Sequence, residues 1–193
     1  MGRLETVLEA IDAYNQRDPS VELVDGQPQP REWVYAQHLT RWVLRLNPAA
    51  SEILRIAARG QHIGRWTVPR DSYPLTRGGY LRWREDLKKF HAQTVAGFMT
   101  QAGYPAEDIE HTRAIMLKKN FAADPDAQTL EDALCLVFLE TQLVEFRKKT
   151  TEDKMLDILR KSWKKMSEKG RAAALTIAYS PEEKKLIEKA LTA

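Results

Sequence analysis

The sequence has a single cysteine, Cys135. That excludes a disulfide framework and any zinc finger built on cysteine. Long hydrophobic runs are also missing. The longest, ALCLVFL from Ala133 to Leu139, is far short of the ~20 apolar residues that a membrane-spanning helix needs. Neither sign of charge dominates: 30 Lys+Arg stand against 27 Asp+Glu, a formal net charge of +3. Such a balance argues against a basic nucleic-acid arm and against a polyacidic tail. The opening MGRLETVLEA carries two acids and no apolar stretch, so no signal peptide is expected. Also absent are GxxxxGK[ST], GxGxxG, HExxH, GxSxG and CxxC. These absences predict a soluble, cytoplasmic globular protein, monomeric or dimeric, without membrane attachment.

What is present is helical periodicity. No apolar–polar alternation bounded by turns suggests a sheet as the core. Apolar spacing predicts helices over 4–17, 32–46, 49–63, 80–101, 106–118, 128–148 and 154–167, and a last one opened by Ser180-Pro181-Glu182-Glu183. That final signature places serine at N-cap, proline at N1 and glutamate at N3, a capping box. The stretch 18–31 holds three prolines, a glycine and three acids, and reads as an extended surface loop. Residues 66–77 are expected to be irregular and to end at Gly78-Gly79, and 120–126 is a predicted loop. With 193 residues, the chain is long enough to bury roughly 70% of its unfolded surface without staples. The expectation is a compact all-α single domain, 1–193, of eight or nine helices. Residues 151–193 form a C-terminal helical extension packed on its core.

Three groups of ionisable residues stand out. Glu131 and Asp132 open the most apolar helix, where an unpaired acid is costly. They are candidate catalytic groups, or one of them answers the helix dipole. His38, His62 and His91, with Asp132, fall on four predicted helices near the interior. Imidazole plus carboxylate is a ligand set for zinc, manganese, iron or nickel. The alternative for His91 is a hydrogen-bonded core histidine, and for His62 a helix C-cap. Arg59, Arg65, Arg70, Arg77 and Arg84, with Lys88, gather around the 66–79 loop among Trp66, Tyr73, Tyr80 and Trp83. Guanidinium groups beside aromatic rings clamp phosphate or carboxylate. The alternative is a structural lattice with Asp71, Glu85 and Asp86. Farther on, Lys161, Lys164, Lys165 and Arg171 form a basic face, read either as solvated or as an RNA contact.

The blocks RIAARGQHIGRWTVPRDSYPLTRGGYLRWREDLKKFHA, QTLEDALCLVFLE and ILRKSWKKMS closely resemble the bacterial and fungal domain of unknown function 4202 family, over nearly the whole chain. Some of its members carry a glutamyl-tRNA synthetase label. The residues do not support that label: the chain is too short, and His62-Ile63-Gly64-Arg65 follows a helix where a nucleotide-binding HIGH motif follows a strand. More remotely, the order His38, His62, Asp132 resembles the all-helical HD-domain superfamily of metal-dependent phosphohydrolases, with Ile63 where that superfamily has its second-position aspartate.

The HD-like resemblance implies a divalent metal and hydrolysis of a small phosphorylated or nucleotide substrate. Metal-bound water would attack, Glu131 would position or deprotonate it, and Arg65, Arg70 and Arg84 would hold the phosphate. A metal-free module that binds a nucleotide or anion is the alternative, and an RNA- or tRNA-associated protein a further one.

Overall fold

The computed structural model of the chain describes residues 2–119 and 123–192. Residues 120–122 of the predicted 120–126 loop lie outside the described residues. Among the described residues ten α-helices and one small hairpin follow in order: α1 Arg3–Asn15, β1 Val21–Val24, β2 Gln27–Pro30, α2 Arg31–Leu46, α3 Glu52–Gly60, α4 Arg77–Gln101, α5 Ala106–Met116, α6 Pro125–Val137, α7 Leu143–Lys148, α8 Glu152–Lys165, α9 Glu168–Ala174 and α10 Pro181–Leu191. The chain is all-α as expected. The capping box at Ser180 and Glu183 is present, with Ser180 Oγ accepting from Glu183 N at 3.3 Å and Glu183 returning the bond at 2.7 Å.

The helix count exceeds the expected eight or nine for two local reasons. The long apolar element is interrupted by a single π-turn, Phe138–Gln142, which separates α6 from α7. Such an extra-residue turn re-aims the side chains it carries. The second is the short α9, whose N-cap Ser167 accepts from Gly170 N at 3.1 Å.

The 18–31 segment is a correction to the extended-loop reading. Val21–Val24 pairs antiparallel with Gln27–Pro30 across Asp25 and Gly26, both at positive φ of 50° and 76°. Asp-Gly is the pair that a two-residue type I′ turn favours. Prolines 28 and 30 are tolerated because β2 has no partner beyond β1. Asp18 ties the base of this hairpin to the next helix: its carboxylate accepts from Ser20 N at 2.8 Å and from Glu32 N at 3.0 Å. It thereby takes a backbone N–H at the start of α2, where Pro30 supplies no side-chain cap.

A second difference concerns Gly78 and Gly79, which lie in the first turn of α4 and not in the loop before it. Thr76 caps that turn, accepting from Gly79 N at 3.1 Å. The preceding loop is two single 3₁₀ turns fastened to α4. Trp83 Nε1 donates to Val68 O at 2.8 Å and the Tyr73 hydroxyl to Asp86 Oδ2 at 2.9 Å.

The core is continuous from α1 to α10. Ile11, Leu39, Trp42, Leu54, Ile56, Met99, Leu136, Leu143 and Met155 are all fully buried within it. Helix α6 packs against α2, α3, α5, α8 and α9, and this explains its apolar composition. Of the C-terminal extension, residues 151–192 join the same core through Met155, Leu159, Met166 and Leu186.

Gly64 turns the chain from α3 back towards α4, at φ 64°. A Cβ there would stand 2.7 Å from Tyr14 Cε1 and 3.0 Å from a Phe90 ring carbon. Left-handed backbone without glycine and a crowded Cβ both penalise any other residue. Gly64→Ala is expected to destabilise the fold by about 1–3 kcal/mol, read as a lowered urea midpoint at unchanged m.

Candidate functional site

The side chains at the ends of several helices converge on one cleft of about 540 Å³. Helix α4 contributes Tyr80, Arg84, Lys88 and His91, one stripe at the three- and four-residue spacing of a helix face. From α6 come Glu131, Leu134 and Cys135, and from α8 Ile158, Lys161, Ser162 and Lys165. Gln61, His62 and Arg65 enter from the turn after α3, Lys118 from the end of α5, and Phe138 and Gln142 from the π-turn. A second groove of about 670 Å³ runs beside the hairpin, lined among others by Glu32, Tyr35, His38 and Phe146. His62, Arg65 and Gln142 line both, so the two spaces adjoin.

The cleft is cationic. Arg65, Arg84, Lys88, Lys118, Lys161 and Lys165 line it against one carboxylate, Glu131. Glu131 is ion-paired to Lys118 and, at 3.4 Å, to Lys165. Burial pushes its carboxyl up, but the two lysines outweigh burial and hold it below the usual carboxylate range. Lys118 reaches Glu131 from a left-handed backbone, φ 58°, just past the end of α5.

His62 sits at the junction of the two spaces. Its ring stacks on Tyr35 with centroids 4.1 Å apart and planes 8° from parallel. Its Nδ1 lies 3.3 Å from Glu32 Oε2, a buried carboxylate whose other oxygen is 3.7 Å from Arg65 Nε. Arg65 in turn lies over the Trp83 ring at 4.8 Å. His91 is the next ring, its centroid 6.0 Å from that of His62. His91 Nδ1 donates to Ile63 O at 2.6 Å. Burial, and then the neighbouring His62, push its pKa down to about 3, so it is neutral with its lone pair on Nε2.

The candidates from sequence divide as follows. His62, His91, Arg65, Arg84, Lys88 and Glu131 all line the cleft. His38 does not join His91: it lies in the adjoining groove, where Arg41 Nη2 donates to its Nδ1 at 2.8 Å. Burial, then Arg41, lower its pKa. Asp132 points away, one residue and therefore ~100° round the helix from Glu131. It accepts from Ser167 N at 2.8 Å, from Gln128 Nε2 at 2.9 Å and from the Ser167 hydroxyl. Those bonds anchor α9 on α6, and Gly170 leaves room for them, since a Cβ there would stand 2.6 Å from Asp132 Cγ. The placement of Asp132 is structural, and the metal set His38, His62, His91 and Asp132 does not converge. Among the described residues no three His, Cys, Asp or Glu side chains are grouped to hold a metal ion. The zinc, manganese, iron or nickel ion expected from sequence therefore does not fit these residues.

Three arginines lie outside the cleft. Arg59 Nε is 3.0 Å from Asp12 Oδ1 between α1 and α3. Arg70 is spent on its own loop, donating to Tyr73 O and Pro74 O at 2.9 Å each. Arg77 is exposed at the start of α4. Arg59 and Arg70 are thus held within the fold, by Asp12 and by backbone carbonyls, where the lattice reading named Asp71, Glu85 and Asp86. Three cations of the cleft are not among the anion-site candidates that the sequence offers: Lys161 and Lys165, which read there as a solvated or RNA-binding face, and Lys118. The spacing of 158, 161, 162 and 165 on one face of α8 was the signal that pointed to the first two. Cys135 also lines the cleft, but burial, then Glu131, push its thiol up to about 12, so it remains protonated.

The arrangement defines an all-helical protein with a cationic, imidazole-bearing cleft between helix ends. Its sequence matches the family profile described as domain of unknown function (DUF4202) over residues 5–187, and the chain belongs to that family. No curated protein and no solved structure gives a match.

Two measurements test these assignments. Asp132→Ala leaves the Ser167 N–H, the Ser167 hydroxyl and the Gln128 amide without their acceptor, and is expected to cost about 2–4 kcal/mol in denaturant unfolding. A loss within experimental error would contradict the anchoring role. For His91, the folded pKa lies below the ordinary value of 6.5, so between the two values the unfolded chain holds a proton that the folded chain does not. Its contribution is full above pH 6.5 and is lost as pH falls towards about 3. Between roughly pH 6 and pH 4 the stability of the natural protein should fall about 1.4 kcal/mol per pH unit more steeply than that of His91→Gln. Equal slopes in urea titrations at each pH would refute it.

Proposed function

We propose that the cleft binds a small phosphorylated ligand, such as a nucleotide, through its cationic walls. The observation that carries this reading is the convergence of Arg65, Arg84, Lys88, Lys118, Lys161 and Lys165 on one concave space in which Glu131 is the one lining carboxylate, while Glu32, Glu85 and Asp157 pair with Arg65, Lys88 and Lys161 from outside that lining. In a protein of near-balanced charge such a concentration is a local feature of the fold. Concave walls of one sign focus the field and raise the local concentration of an oppositely charged ligand. Arginine takes phosphate oxygens bidentately and lysine as a point charge. Tyr80, 43% exposed, stands at the same cleft with Arg70 and Arg84 within 6 Å of its ring, a surface on which a base stacks.

The HD-like, metal-dependent hydrolase is the weaker form of this proposal. Only His62 and His91 of its expected ligands adjoin each other, and the cations around them oppose a further positive ion. RNA or tRNA as partner has less support still. Lys161 and Lys165 line the cleft, and Arg171 Nε is used by Trp163 O at 3.0 Å.

Isothermal titration with ATP, GMP, glucose 6-phosphate, pyrophosphate and inorganic phosphate tests the reading. At least one is expected to bind saturably, with an affinity that falls as salt rises. Arg84→Ala and Lys161→Ala, both at exposed positions, are expected to weaken it about tenfold each, ~1.4 kcal/mol, with little change in stability. No binding by any of the five, or binding indifferent to both substitutions, overturns the proposal.

A further inference from the structure

Resting on that reading, we infer that the cleft also turns its ligand over, with His62 as the catalytic base and Glu32 as its positioning residue. The inference rests on four observations around one ring. The imidazole is immobilised by its 4.1 Å stack on Tyr35. A buried carboxylate lies 3.3 Å from its Nδ1, which favours the proton on that nitrogen. Among the described residues no protein group bonds Nε2, and the ring lines the cationic cleft, so the basic nitrogen is the one left for a ligand or a water. Finally, the carboxylate is itself fixed: Asp18 holds the Glu32 backbone and Arg65 flanks its second oxygen. A histidine whose only task was to close α3 would need neither the buried acid nor the stacked ring.

The chemistry that these groups serve is hydrolysis of a phosphate monoester. A water held at His62 Nε2 gives that nitrogen a proton as its oxygen forms a bond to phosphorus. The ester P–O bond breaks and its electron pair leaves with the alcohol oxygen, which takes a proton from solvent. His62 then returns its proton to solvent, and the products are the alcohol and inorganic phosphate. The charge on the phosphoryl oxygens faces Arg65 and the lysines of the cleft, in position to stabilise it throughout. No oxidant, reductant or second substrate enters.

The test measures release of inorganic phosphate from p-nitrophenyl phosphate and from each monoester that binds in the titration above. The natural protein is expected to release phosphate. His62→Gly is expected to lower kcat at least about 100-fold with KM little changed, and added imidazole to restore part of the rate. Glu32→Gln is expected to lower kcat about tenfold at unchanged KM. His62→Asn, compared by its urea midpoint, covers the case in which the glycine variant does not fold. Binding without phosphate release overturns this inference and leaves the binding proposal standing. Release that His62→Gly and His62→Asn both leave unchanged also overturns it. Failure of every ligand to bind removes both.

Discussion

Two neighbouring carboxylates at the head of a buried helix shape most of this molecule. Helix α6 is surrounded by five other helices, so neither Glu131 nor Asp132 reaches open solvent. A buried carboxylate is expensive unless it is answered by donors or cations. Because successive helical residues point ~100° apart, the two acids need separate answers. Asp132 is answered by the start of α9 and by Gln128. Glu131 is answered by Lys118 from the end of α5 and Lys165 from the end of α8. The ends of three other helices are thereby drawn to one turn of α6, and those of α5 and α8 form one side of the cleft through Lys118 and Lys165.

The same requirement explains what sequence could and could not foretell. Glu131 and Asp132 drew notice as acids on an apolar helix, but which one faces the cleft depends on where α8 and α9 pack, and no local pattern states that. On α4 the stripe Arg84, Lys88, His91 follows from helical spacing once the helix is recognised, and all three do share a face of the cleft. Glu32 was invisible as a partner for His62. Its pairing depends on how α2 lies against the turn after α3, and on Asp18 fixing the first turn of α2. In the 18–31 segment the prolines argue for an extended loop, but a two-stranded hairpin has outer edges on which proline breaks nothing, so the Asp-Gly turn decides the structure. The arginines at 59 and 70 looked like anion ligands by density alone, yet each is committed to an acid or to backbone carbonyls a short distance away.

Charge balance over the whole chain conceals how the charges are sorted. Many surface pairs, such as Lys148 with Glu145 and Arg113 with Glu110, are spent within a single helix turn. They contribute little to stability. The cleft is different because its walls carry six cations and one acid. Like charges held together repel, so a fold that assembles them loses some stability on that account. Glu131 limits that loss by bridging Lys118 and Lys165 at once.

The neutral groups in the cleft follow the same electrostatic logic. His91 and Cys135 both titrate in directions that keep them uncharged at ordinary pH, the first pushed down to about 3 and the second up to about 12. A protonated His91 would add a seventh cation behind the six, and a thiolate at Cys135 would compete with Glu131 for Lys165. Burial suppresses both. The buried His91 and Cys135 of the cleft are therefore uncharged, and its positive charge is carried by the arginines and lysines that line it. On the proposed reading, a ligand phosphate would meet those lysines and arginines. The His62 ring, held at the junction by Tyr35 and Glu32, would adjoin them in the same space. Two buried acids therefore shape the space from opposite sides: Glu131 of α6 gathers Lys118 and Lys165, and Glu32 of α2 holds His62 and Arg65.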